Sequence, residues 1–143
     1  MTNTIVLTIP QPPQAQGRPR FSVRGSHAFA WDPHKDKKNW ARLQMSQQFK
    51  EILPHPIDCS LDVSITYHMP IPKSTSKKKR LEMIHNRTPH IKKPDIDNLI
   101  KFTLDAMNDI IFHDDSQIWY LEAKKIYSEF PRTEVVLTWN PKT

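Results

Sequence analysis

The stretch Lys93–Ile118, "KPDIDNLIKFTLDAMNDIIFHDDSQI", changes chemical character along its length. A proline and two aspartates around one isoleucine lead into an amphipathic run, which ends in the apolar "IIF" and a second acidic pair. Ile96, Leu99, Ile100, Thr103, Met107 and Ile110 recur at helical spacing, so a helix is expected over about 97–109. Beyond it, "SQIWYLEAKKIYS" (116–128) and "TEVVLTW" (133–139) read as two strands joined through Glu129, Phe130, Pro131 and Arg132.

Upstream, "SLDVSITYHM" (60–69) is the clearest strand. Leu61, Val63, Ile65, Tyr67 and Met69 fall on one side, and Asp62, Ser64, Thr66 and His68 on the other. "TIVLTI" (4–9) alternates in the same way and is stopped by "PQPPQ", because proline cannot donate to a sheet ladder. "RPRFSVRGSHAFAW" (18–31) reads as two short strands around a turn at Arg24, Gly25 and Ser26, a basic arm carrying three arginines. A helix is expected over about 33–52, with Asp32 as N-cap and Pro33 at its first position. The order predicts an α+β fold, a small mixed β-sheet packed with two main helices, in a single domain over 1–143.

At 143 residues the chain can bury a core without disulfides. Its one cysteine, Cys59, precedes an alternating apolar run and is expected as a buried free thiol in a reducing compartment. No apolar segment is long enough to span a membrane, and the N-terminus lacks the pattern of a secretory signal. The net charge of +6 favours a polyanionic partner. That charge is concentrated in a connector over 72–93, where eight lysines and arginines face one acid, Glu82, and a short helix is expected from near Ser76. Thirteen prolines against two glycines indicate stiff connections. The histidines are scattered without zinc-ligand spacing and read mostly as surface or polar-strand residues; His113, beside the acidic pair, is the exception by position.

Two residues apart in a regular helix, Asp95 and Asp97 diverge by about 200°. In extended chain they share a side. With Pro94 disfavouring helix around it, Asp95, Ile96 and Asp97 are expected to be extended, with Ile96 turned inward and Asp97 capping the helix. Lys101 then lies one turn on, and Asp97, Lys101, Asp105 and Asn108 form one polar stripe. One of Asp114 and Asp115, which point opposite ways in extended chain, is expected to join the first pair. Three carboxylates from two elements are what Mg²⁺ asks of a protein. Capping and the helix dipole are the competing explanation for the first pair alone, and a salt bridge is the competing explanation for Lys101. The second acidic pair and the basic connector ending at Lys93 strengthen the metal reading without displacing the capping one.

As a whole, this signature resembles that of the RusA family of Holliday junction resolvases, in which D-x-D-N-L-x-K is followed after a helix by D-D-x-Q-[IV]. The proline-rich "TIPQPPQAQGRPRF" and the alternating strand before the basic loop agree more loosely. The resemblance implies a RusA-like fold and a homodimeric, Mg²⁺-dependent endodeoxyribonuclease of DNA recombination and repair, common in phages and prophages. Mn²⁺ is expected to substitute, and no organic cofactor or membrane is implied. Such an enzyme resolves four-way DNA junctions by paired symmetric nicks that leave 5′-phosphates, in the cytoplasm of a bacterial or phage-infected cell. By position, Asp95, Asp97 and Asp115 match the metal-binding acids, with Asp114 as a further candidate, and Lys101 matches the catalytic basic residue.

Asn98, Asp105 and His113 are expected to support that site, and Gln117 and Ile118 the strand. DNA contacts are implied for the N-terminal loop, here Gln14, Gln16, Arg18 and Arg20, and for Lys92 and Lys93, with Lys77, Lys78 and Lys79 adding charge. Some family members carry a continuous arginine run directly before the acidic motif, whereas "HIKKPDID" has lysines and an intervening proline. Lysine meets a phosphate as a point charge rather than bidentately. Two other readings compete: a branched-DNA-binding protein that does not cleave, and a nuclease acting on flaps, forks or plain duplex.

Overall fold

The structure, a computed structural model, describes residues 2–17, 20–25, 27–31 and 34–141. Its elements are strands β1 (Asn3–Ile9), β2 (Arg20–Arg24) and β3 (His27–Trp31), helix α1 (Lys35–Lys50), strand β4 (Leu61–Pro70), helices α2 (Lys77–His85) and α3 (Ile96–Met107), and strands β5 (Ile118–Ser128) and β6 (Arg132–Trp139). β2 and β3 form a separate hairpin whose turn passes through Gly25 at φ 60°. The other four strands make one sheet in the order β1-β6-β4-β5. β4 pairs antiparallel with β6 and parallel with β5, so the sheet is mixed and the fold α+β, as expected and consistent with a RusA-like fold.

Alternation along the strands decides which face is buried. On β4, Leu61, Val63, Ile65, Tyr67 and Met69 point into the core, joined by Ile5, Leu7 and Ile9 of β1 and Val135 and Leu137 of β6. Ala41, Met45 and Phe49 of α1 and Leu99, Phe102, Ala106 and Met107 of α3 pack on that face, burying the apolar stripe of each helix against it. Cys59 is buried and unpaired. One buried polar link spans the two layers: the Tyr67 hydroxyl meets Thr103 Oγ1 at 2.8 Å, and Thr103 donates to the Leu99 carbonyl at 2.9 Å. Burial pushes the Tyr67 phenol far above its ordinary range, so it stays neutral.

The helix limits depart from expectation in instructive ways. α1 begins at Lys35 with His34 at its N-cap position and no side-chain cap; the expected cap Asp32 and the expected first residue Pro33 lie outside the described residues. The basic connector contains α2, the short helix expected from near Ser76, and Ser76 is its N-cap, accepting from the Lys79 N–H at 3.3 Å. α3 begins at Ile96, with extended backbone only at Asp95 (φ −69°, ψ 145°). Asp95, not Asp97, therefore holds the N-cap position, and Ile96 is 37% exposed rather than turned inward. No described helix is long and apolar enough to cross a membrane.

Candidate metal and DNA site

The N-terminus of α3 carries the first group of polar side chains. Asp95 sits at the N-cap position without a side-chain capping bond, and Asp97 lies in the first helical turn, where the helix dipole favours a negative charge. Lys101 follows one turn later. Both Asp97 and Lys101 are exposed, and among the described residues neither side chain makes a hydrogen bond or ion pair. The salt-bridge explanation for Lys101 thus finds no partner within the described chain. Asp95 is met by Lys93 Nζ at 3.0 Å, an exposed pair that contributes little to stability.

Segments from two other parts of the chain lie beside this end of α3. Lys125 of β5 donates to the carbonyls of Lys92 (2.9 Å) and Pro94 (2.8 Å), fixing the backbone just before Asp95. Gln16 donates its backbone N–H to the Asn98 carbonyl at 2.9 Å, which brings the proline-rich loop against the first turn of α3. Gln14 accepts from Lys37 Nζ at 3.1 Å, and Gln16 Oε1 is buried without a partner. Gln16, Lys92 and Lys93 thus lie beside the start of α3, and Gln14 is held against Lys37 of α1. Lys77, Lys78 and Lys79 are exposed on α2. Arg18 lies outside the described residues, and of Arg20 only the backbone, in β2, is described.

The second acidic pair is elsewhere. Asp114 caps a single 3-10 turn over Asp115–Gln117, its Oδ2 accepting from the Ser116 N–H at 3.1 Å. The hydrogen bonds from Ser116 hold its carboxyl below the usual range. Asp115 is exposed, and its side chain makes no hydrogen bond among the described residues. The turn is tied to the far end of α3, because Ile57 N–H donates to the Ile111 carbonyl and Ile111 N–H to the Met107 carbonyl. α3, twelve residues and about 18 Å long, begins at the first acidic group and ends before the second. Accordingly, no three His, Cys, Asp or Glu side chains among the described residues form a group able to hold a metal. The expectation that one of Asp114 and Asp115 meets the first pair within a single chain is corrected here, because α3 lies between them.

Three supporting residues have identifiable jobs. Asp105 pairs with Lys38 Nζ at 3.4 Å while Arg42 of α1 donates to its carbonyl at 3.0 Å, so it clamps α1 to α3 two turns beyond Asp97. His113 contributes its backbone N–H rather than its exposed ring. Gln117 does more than support the strand. Its Oε1 accepts from the N–H groups of His113 (2.8 Å) and Asp114 (3.0 Å), and its Nε2 donates to the carbonyls of Ile57 (2.8 Å) and Cys59 (3.0 Å). Gln117→Ala removes all four bonds and is expected to destabilise the fold by about 2–4 kcal/mol in urea unfolding. A change below about 0.5 kcal/mol would assign the turn's position to other contacts. His90 also departs from expectation, since it is buried with its ring 4.9 Å from that of Tyr127.

The family model described as endodeoxyribonuclease RusA matches residues 10–138, and the chain belongs to the RusA endodeoxyribonuclease family. It is also 40% identical over 136 residues to the uncharacterized protein YqaN of Bacillus subtilis (strain 168), an alignment covering 93% of this chain and 94% of that protein.

Proposed function

We propose that the protein is a Mg²⁺-dependent, structure-selective endodeoxyribonuclease that acts as a homodimer and resolves four-way DNA junctions by paired symmetric nicks. The observation that carries this reading is the Asp97–Lys101 pair. A carboxylate and an ammonium one turn apart on an exposed helix, both without other partners among the described residues, are left for a ligand. In a chain of an endodeoxyribonuclease family, that ligand is the phosphate and its cation.

Asp95, Asp97 and Asp115 supply exposed carboxylate oxygens, the donor chemistry that a hard cation requires. Asp114 is less suited, because its carboxylate is engaged in capping. The distance along α3 prevents one chain from assembling the set, whereas two chains can. β5 is an edge strand, and its outer margin carries Trp119, Tyr120 and Leu121 at 70%, 45% and 38% exposure. Leu61 pairs with Ile118 and Asp62 with Tyr120, so Trp119 stands as a bulge turned to solvent. Contiguous apolar exposure of this kind on an edge strand suits a second copy. In a two-fold antiparallel contact centred on Tyr120, Asp115 of one protomer faces Lys125 of the other, five residues away on the opposite side. Lys125 grips Pro94, the residue before Asp95. The dimer thereby builds two equivalent centres, matching the two cleavage points of a four-way junction.

When bound, Mg²⁺ supplies Lewis-acid charge to the attacking water and the leaving oxygen. Asp95 and Asp97 of one protomer and Asp115 of the other would hold that ion. Lys101 offsets the negative charge that builds on the phosphate. Lys92, Lys93, Gln14 and Gln16 seat the neighbouring backbone, with hydrolysis leaving a 5′-phosphate and a 3′-hydroxyl. A synthetic labelled four-way junction incubated with Mg²⁺ or EDTA tests the reading. Paired nicks with Mg²⁺ or Mn²⁺ and none with EDTA are expected. A protein that binds the junction yet never nicks it with either ion is a branched-DNA-binding module. Equal cutting of linear duplex or flaps would remove the junction preference and keep the nuclease.

A further inference from the structure

α2 ends on a side chain that its backbone disfavours. Asn86 closes the helix, the Thr88 N–H returns to the Met83 carbonyl at 3.2 Å, and Arg87 between them is left-handed at φ 46°. Glycine usually occupies this position, because a Cβ is crowded there. Arg87 lines a cavity of about 320 Å³ between α2 and the sheet face opposite the core, together with His68 of β4, Lys124 of β5 and Arg132 of β6. Glu134 and Glu129 are the acids on the same wall. Glu134 is occupied by Arg132, whose Nε lies 2.7 Å from its Oε1. The side chains of Arg87 and Lys124 make no hydrogen bond or ion pair among the described residues. The His68 Nε2 is buried without a hydrogen-bond partner, 3.5 Å from Glu134 Oε1, and burial above all keeps the ring neutral.

This cavity adjoins the same end of β5 as the acidic group on α3. The Tyr127 N–H donates to the Thr88 carbonyl at 3.2 Å and the His90 N–H to the Lys125 carbonyl at 3.0 Å, so residues 88–90 run along the β5 edge. Lys125 then holds Lys92 and Pro94, and Asp95 follows. Lys92 and Lys93 are exposed along that path. The cations of the cavity and those before the acidic motif therefore form one track around the strand end.

We infer that the cavity seats a backbone phosphodiester of the DNA strand continuing beyond the cut, between Arg87 and Lys124, with His68 donating from Nε2 to a phosphate oxygen. This inference rests on the DNA-cleaving reading above. It explains why an arginine stands in a left-handed position where glycine would be at ease.

The test measures junction binding in EDTA as a function of salt for the wild type, Arg87→Gly and Lys124→Gln. Each variant is expected to bind about threefold to tenfold more weakly and to lower the slope of log affinity against log salt by about 0.9. Arg87→Gly is expected to keep or raise Tm, because glycine relieves the left-handed strain. Wild-type affinity and slope in both variants overturn the inference. So does a loss of affinity confined to Arg87→Gly and accompanied by a lower Tm, which makes Arg87 a structural cap. Inorganic phosphate that raises the Tm of the wild type but not of Arg87→Gly, with DNA binding unchanged, would make the cavity an anion site unrelated to DNA. Failure of the wild type to bind or cut any DNA instead removes the nuclease reading itself.

Discussion

Mixing Asp97→Asn protomers with Asp115→Asn protomers is expected to restore junction nicking that neither variant shows alone. Asp97 lies in the first turn of α3, a helix about 18 Å long, and Asp115 lies in a turn beyond its far end, so on the proposed arrangement a centre using both draws on two chains. Each homodimeric variant has both centres broken and should lose at least about 100-fold in cleavage while still binding the junction. A mixed dimer concentrates both substitutions in one centre and leaves the other whole. Co-refolding equal amounts should therefore recover about a quarter of wild-type nicking, since half the dimers are mixed and each has one intact centre of two. The product should be mostly singly nicked junction rather than resolved duplexes. If each centre were complete within one protomer, every centre in every dimer would carry a substitution and no activity would return; that outcome would sink the shared-centre arrangement.

β4 was legible because burial has the strict period of a strand, and all five residues expected inward are in the core. α3 was legible from helical spacing, apart from its first residues. Pro94 restrains the residue before it and leaves those after it free, so the helix starts at Ile96 and Asp97 falls inside it. The relation between the two acidic pairs was not legible. Eighteen residues separate Asp97 from Asp115 in the chain, and nothing in their types states that a straight helix keeps them apart. That follows from the direction of α3 beside β5, fixed at one end by Lys125 on Pro94 and at the other by Ile57 on Ile111. Gln117 reads in the sequence as a strand support, but two of its four bonds depend on the carbonyls of Ile57 and Cys59 being within reach, a tertiary fact. Arg87 gave no signal at all as one cation in a basic connector; only its φ and its cavity distinguish it.

The remaining expected result concerns Lys101, where charge and structure can be separated cleanly. Lys101 is exposed and makes no bond within the described chain, so Lys101→Ala should change folding stability by no more than about 0.5 kcal/mol. Its ammonium stands one turn from Asp97, where, on the proposed mechanism, it would face the phosphate engaged by the acids and their cation. Interactions aimed at charge that develops during reaction contribute far more to rate than to binding. Lys101→Ala is accordingly expected to cut junction cleavage about 100-fold to 1,000-fold at saturating Mg²⁺, while junction affinity in EDTA falls only slightly. Removing a cation beside Asp97 should also leave Mg²⁺ binding intact or tighter, because like charges no longer compete at the carboxylates. Single-turnover cleavage and junction titrations on the same preparation separate these effects. Unchanged cleavage would return Lys101 to the role of a solvated surface charge, and an equal loss of binding and cleavage would make it a DNA contact rather than a participant in the reaction.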